Sequence, residues 1–599
     1  MGATYPLSKD QERTWFLHGL HPANPVFTVA ELLSVAGPLG REPLRSAVAA
    51  LAARHEALRT VVTTVAGSPC ARVLSAVDPP VVFEDAQDAG DDVDDLRAWA
   101  AGAAREPFDV TRGPLWRVRV RSTGPDDHAL LICADQLVAD RRSLAILLRE
   151  LGQLYTAEIG ETPAVLDPVA GFGRLAGAER AWLSDPATLA RLDVQVAELA
   201  GAPAGVELPA DRLRPPVLSF AGDRVELPLA DQSVCDLEAF AVRHSVEPAS
   251  VLLAGLAVLV HRYAGVSEVV IGLPGRGSSC VVGPVTGVLP LRVDLADDPP
   301  FAEAVAGVDV QVREARARRD IPFGALVERL QPERDLSRRP VCQIAFELRS
   351  APECDLRGAR ATWVPFGLGT SAYDLSLSVI CGRTPPLAVL EYDTDLFHRE
   401  SMERLAGNHL TLLAGALSDP QARVSRLTLL DTGEVRRVLA ASTGDEVEMP
   451  HSAMVHEQIA AQAARRSEAL ALVAGASRMT YGELCRRSHQ VANHLRRLGV
   501  GLQVPVGVCM RRSIDMVFAV LGVLDAGGAP VLLDPAQPAR RLAFMLDDSR
   551  APVLLTSAAL LGGLPSGYGG HIRCLDRDGE LIAREDDRRP AVGCHPATT

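Results

Sequence analysis

No run of about 18 or more uncharged apolar residues occurs in the 599-residue sequence, so no membrane-spanning helix is predicted. The opening residues, MGATYPLSKDQERTW, lack the apolar core of a secretory signal, and a cytoplasmic location is the default expectation. The 11 cysteines include no CxxC pair. Zinc sites and disulfide frameworks need tighter spacing, so free thiols, many of them buried, are expected and no metal is. No basic patch interleaved with aromatics is present. The net charge of −14, from 61 basic and 75 acidic side chains, argues against nonspecific binding to nucleic acid or to an anionic membrane surface. Short-period repeats and low-complexity tracts are also missing. The glycine-rich GLPGRG segment lacks both GxGxxG spacing and a following Lys-Ser/Thr, which excludes a phosphate loop there.

What is present is ordinary globular sequence, 47% hydrophobic and 23% charged, long enough for several domains. Residues 42–62, EPLRSAVAALAARHEALRTVV, repeat apolar side chains at three- and four-residue spacing and predict a one-faced helix. LWRVRVRS (115–122) alternates as a half-buried strand does, and HALLICA (128–134) reads as a central strand. A Pro/Gly-rich crossing at 200–222 predicts an irregular connector. Beyond it lie a helix, PASVLLAGLAVLVHRYAG, and the strands EVVIGLP, VCQIAFELRS and YDLSLSVICG. Strands mixed with helices in both halves predict an α/β fold. The sequence turns polar near 432–450, and a new helical pattern begins at His456.

One stretch stands out chemically. LLICADQLVADRRSLAILLRELGQLY (130–155) predicts a buried strand, a short turn and an amphipathic helix. Asp135, Gln136, Asp140 and Ser143 cluster at the turn, yet no histidine, cysteine or lysine lies between Ala134 and Ser143. The remaining histidines offer little: His55, in RHEALRT, and His128, at a strand start, are read as packing residues.

Several long segments, in the right order, carry a family resemblance. SKDQERTWFLHGLHPANPVF, RHEALRTVV, DIPFGALVERLQPERDLSRRP and the following VCQIAFEL resemble signature segments of nonribosomal peptide synthetase condensation domains. The resemblance implies two chloramphenicol-acetyltransferase-like lobes in a V, with the active site between them. It assigns residues 1–180 and 181–435 to the two lobes and 436–455 to a linker. MTYGELCRRSHQVANHLRRLGV and VLDAGGAPVLLDPAQPARRLAFMLDDS, within 456–599, resemble the first core motifs of an adenylation domain. No Gly/Ser/Thr-rich phosphate loop follows them here, so this chain is expected not to catalyse amino-acid-dependent pyrophosphate exchange.

In the resembled family the turn reads HHxxxDG, often followed by Ser. Here it reads DQLVADR, then Ser143: Asp135 stands at the first His, Gln136 at the second, Arg141 at the Gly, and Asp140 is retained. The second His is thought to orient the amine or to accept its proton. Gln136 can hydrogen-bond, but it cannot take a proton at neutral pH. Asp140 is expected to be structural, paired with Arg276 from the second lobe. A sister family that forms heterocycles carries DxxxxDxxS, which Asp135, Asp140 and Ser143 satisfy; Thr286 and Glu347 align with its functional Thr and Asp. Three readings stay open: amide-forming condensation, formation of a thiazoline or oxazoline ring, and noncatalytic docking. The resemblance implies no tightly bound cofactor. The partners it implies are upstream and downstream peptidyl carrier proteins, whose phosphopantetheine arms carry the substrates as thioesters.

Overall fold

The computed structural model describes residues 3–86, 92–160, 163–203, 205–275, 281–331, 335–445 and 454–593. The chain divides into two compact units, Met1–Ser442 and Thr443–Thr599.

The first unit has two main sheets, one for each lobe. The first sheet runs Arg360–Val364, Thr28–Ala36, Asp127–Asp135, Trp116–Ser122, Val81–Asp85. Asp127–Asp135 is its central strand; Leu130, Leu131, Ile132, Cys133 and Ala134 are fully buried, as the continuous apolar run predicted. Its edge strand Arg360–Val364 comes from the second half of the unit and pairs antiparallel with Thr28–Ala36, Trp363 opposite Leu33. The second sheet runs Val288–Asp294, Glu268–Pro274, Ile344–Ser350, Leu375–Cys381, Leu387–Asp393, Gly222–Pro228. Ile344–Ser350 lies parallel to both of its neighbours. Side chains alternate along this strand: Ile344 and Phe346 enter the core, while Glu347 and Arg349 face the opposite way.

Local signals explain the key helices. Ser8 and Gln11 form a capping box that starts helix Lys9–Leu20. Asp140 caps helix Arg141–Ile159, which buries Leu144, Leu147, Leu148 and Leu151 against the first sheet. The helix predicted over 42–62 stops earlier. It spans Arg41–Arg54, a 3₁₀ turn follows at Glu56–Arg59, and Thr60–Val65 is a strand. Two causes act there. The buried His55 imidazole sits 2.7 Å from Glu150 Oε2, which anchors the chain at the helix end. The run Thr60-Val61-Val62-Thr63-Thr64-Val65 is β-branched throughout and pairs with Ser68–Val73. Helix Thr432–Ser442 runs into the stretch assigned to the linker, started by Asp431, whose Oδ1 accepts the Glu434 N–H at 2.7 Å.

Among the described residues no single helix is long and apolar enough to cross a membrane. The long apolar helix Pro248–Ala264 is buried in the core of the second lobe. It crosses helix Arg399–Ser418 closely: a Cβ on Gly255 would come within 2.5 Å of Leu413 and 3.3 Å of His409. His409 is buried there, and neither ring nitrogen has a hydrogen-bond partner among the described residues. Burial lowers its pKa from 6.5 to about 4. The unfolded chain therefore takes up the proton first as pH falls. This residue's contribution to stability is present above pH 6.5, is lost progressively down to about pH 4 and is level below. The loss amounts to about 3 kcal/mol. Denaturant unfolding of the chain and of His409→Leu at a series of pH values measures it: the variant should show a shallower fall over that window.

The second unit carries a parallel four-stranded sheet, Ala529–Leu533, Pro505–Cys509, Val553–Thr556, His571–Cys574. Helices Tyr481–Arg497 and Ile514–Asp525 pack on it, and a hairpin, Leu470–Ala474 with Ser477–Thr480, precedes them.

Candidate active site

The turn between strand Asp127–Asp135 and helix Arg141–Ile159 lies where the two lobes meet. Asp140 and Ser143 join them. Asp140 Oδ1 accepts the Ser143 N–H at 2.7 Å and lies 2.6 Å from Ser143 Oγ. Its second oxygen accepts the backbone N–H groups of Val285 (3.1 Å) and Thr286 (2.9 Å). Ser143 Oγ, fully buried, accepts the Gly283 N–H at 3.0 Å and lies 2.9 Å from the Gly283 carbonyl oxygen. A Cβ on Gly283 would stand 2.3 Å from the Phe172 ring, so the approach needs glycine. One carboxylate thus caps a first-lobe helix and holds a second-lobe loop. Arg276, expected as the partner of Asp140, lies outside the described residues.

Asp135 and Gln136 point different ways. Asp135 is buried; its carboxylate accepts the Leu137 N–H at 2.9 Å and lies 3.2 Å from His18 Nε2. His18 comes from helix Lys9–Leu20 and stacks on Phe27 with ring centroids 4.2 Å apart. Sequence reasoning missed this imidazole. Its only local sign is a histidine within the WFLHGL segment, and the pairing with a residue 117 positions away is a tertiary event. Gln136 instead lines a cavity of about 140 Å³ between the lobes. Its backbone N–H donates to the Phe27 carbonyl, and its Nε2 donates to the Val26 carbonyl at 2.9 Å. Among the described residues Gln136 Oε1 has no donor, which leaves it as an acceptor beside that cavity.

Thr286 and Glu347 line a second, larger cavity of about 890 Å³, together with Pro274 and Gly275 of the GLPGRG segment. Thr286 Oγ1 is buried without a hydrogen-bond partner among the described residues. Neither Asp135 nor Asp140 lines either cavity. Glu31, Arg141 and Arg349 line both. Glu31 accepts the Trp363 Nε1–H at 2.6 Å and pairs with Arg349 at 3.5 Å. Arg141 keeps an exposed side chain toward the cavities it lines; its depth between the lobes opposes the charge, but Glu31, Glu347 and Glu391 outweigh that and hold its pKa above the ordinary value. Arg349 goes the other way: burial, then repulsion by Arg141, lowers its pKa. No group of His, Cys, Asp and Glu suited to a metal ion occurs among the described residues.

Residues 1–439 match the condensation domain family, nearly three quarters of the chain. The chain belongs to that family. Residues 459–593 match the AMP-binding enzyme family, so the condensation domain is followed by the start of an adenylation domain. Among curated relatives, one of the linear gramicidin synthase proteins of Brevibacillus parabrevis is 33% identical over 599 residues, covering 98% of this chain and 8% of that protein. Phosphinothricin tripeptide synthetase PhsC of Streptomyces viridochromogenes is 32% identical over 578 residues, covering 93% of this chain and 52% of that protein. The chain therefore spans about half or less of these relatives. Among solved structures, the four-domain nonribosomal peptide synthetase holo-AB3403, bound to AMP and glycine, superposes with a TM-score of 0.79 at 22% identity. That match covers 96% of this chain and 45% of that one, and it supports the fold alone. The X-domain of teicoplanin biosynthesis, solved in complex with OxyB, superposes with a TM-score of 0.64 at 27% identity, covering 72% of this chain and 97% of that one. In this condensation domain an Asp140–Ser143 clasp joins the two lobes, while Gln136 lines the smaller cavity.

Proposed function

We propose that residues 1–442 form a condensation-type domain of a nonribosomal peptide synthetase that joins carrier-bound acyl and aminoacyl thioesters through an amide bond. One observation carries the reading: Gln136 donates its amide N–H to the Val26 carbonyl, which turns its own carbonyl oxygen into the acceptor at the smaller cavity. An acceptor there orients an amine by one of its N–H bonds. The amine nitrogen attacks the thioester carbonyl carbon, the C–N bond forms, the C–S bond breaks and the pantetheine sulfur leaves as thiolate. Water takes the ammonium proton, because a carboxamide does not, and solvent returns a proton to the thiolate. Positioning alone supplies a large part of such a rate. The substrates arrive on phosphopantetheine arms of upstream and downstream peptidyl carrier proteins, and no tightly bound cofactor takes part.

The ring-forming reading rested on Asp135, whose carboxylate is committed to His18 and the Leu137 N–H. Thr286 and Glu347, in the larger cavity, remain as its support. A second reading, a docking domain without chemistry, is favoured by the likeness to an X-domain whose structure was solved with OxyB. One experiment separates the three. The purified chain is incubated with loaded donor and acceptor carrier proteins and read by intact mass. Acyl transfer onto the acceptor, abolished by Gln136→Ala, is the expected result. A product lighter by one further water assigns ring formation. Carrier binding with neither product assigns docking.

A further inference from the structure

Glu31, Arg141 and Arg349 are the three residues that line both cavities, and so stand between the larger one and the Gln136 chamber. Two of them are tied down. Glu31 is held by Trp363 and Arg349, and Arg349 lies over the Trp363 ring, 5.3 Å from its centroid. Arg141 is held differently. It makes no ion pair within 4.0 Å among the described residues, and its charge is balanced by carboxylates spread across both spaces: Glu347 in the larger, Glu391 in the smaller, Glu31 in both. A guanidinium in so distributed a field can lean either way without losing its counter-charge.

Arg141 and Arg142 open helix Arg141–Ile159, where the helix dipole favours anions, and no acidic residue occupies that first turn. The family's motif has a glycine at this position, with no side chain to project between the cavities.

We propose that Arg141 is a side-chain gate that closes the passage between the 890 Å³ cavity and the Gln136 chamber. A thioester held in the larger cavity meets Gln136 only when Arg141 leans aside. What passes the gate rests on the condensation-type reading, but the gate itself is tested without turnover.

The test places a reporter thiol beyond the gate. Gln136→Cys is made in the full chain with Arg141 retained, and with Arg141→Gly, Arg141→Ala or Arg141→Met. Alkylation at position 136 by an iodoacetyl-pantetheine is compared with alkylation by iodoacetamide, and peptide mass mapping resolves the site. Cys235, exposed and remote in sequence, serves as the internal reference. Opening the gate should raise the long-to-short rate ratio by about tenfold or more in the Gly and Ala variants. Arg141→Met keeps the bulk without the charge and should leave the ratio as it is with arginine. An unchanged ratio in the Gly and Ala variants, with melting temperatures intact, overturns the gate. So does an equal rise in Arg141→Met. Should Arg141→Gly fail to fold, Arg141→Ala decides. A chain that forms no amide can still show the ratio change, so failure of the condensation reading and failure of the gate are told apart.

Discussion

Replacing Gln136 with histidine is expected to raise amide formation by roughly 10²–10⁴, the usual contribution of a well-placed general base. The Val26 carbonyl that now accepts the Gln136 Nε2–H would accept a ring N–H instead. That hydrogen bond fixes the tautomer and leaves the other nitrogen with its lone pair at the chamber. A carboxamide and an imidazole then differ by one property, the capacity to take the ammonium proton. Asp135→His should add nothing further. Position 135 faces His18, not the chamber, and a second imidazole there would lose the carboxylate that His18 and the Leu137 N–H now share. Single-turnover transfer between loaded carrier proteins, read by mass, checks both variants. A Gln136→His chain that folds and transfers no faster than the parent would show that proton acceptance does not limit the step.

Asp140→Ala is expected to loosen the lobe interface by about 3–7 kcal/mol. The substitution removes a helix cap worth about 1 kcal/mol, and it leaves the N–H groups of Val285 and Thr286 without their acceptor at about 1–3 kcal/mol each. Asp140→Asn should fall between. Its one carbonyl oxygen can serve Ser143 or the 285–286 pair but not both, and its NH₂ group meets N–H donors on the other side. Hydrogen exchange gives the sharper readout, because the effect is local: the amides of Gly283, Val285 and Thr286 should lose protection first, while the second unit keeps its own. Unchanged exchange at 283–286 would mean that the loop is held by other contacts.

Periodicity and capping made much of the architecture readable. The buried run at 128–134 is the central strand of the first sheet, because only a strand covered on both faces tolerates unbroken apolar sequence. The polar turn after it is a helix start, because Asp140 and Ser143 have a capping residue's spacing. Helix 42–62 was overextended because its apolar spacing continues past Arg54, whereas the β-branched run at 60–65 and the buried His55–Glu150 contact end it. A period describes which face is apolar; it does not report that a partner strand competes for the same residues.

The sequence by itself determined the α/β class, through local pattern, and the condensation family with its two lobes, through resemblance of ordered segments. The tertiary structure alone decided which way each motif residue faces. Adjacent positions at a strand end diverge, so Asp135 meets an imidazole from helix Lys9–Leu20 while Gln136 meets the cavity. It alone set Arg141 between two cavities in the field of Glu31, Glu347 and Glu391, residues drawn from three strands in two sheets. Such a field sums charges across space, and positions hundreds of residues apart in sequence add to it as fully as neighbours do.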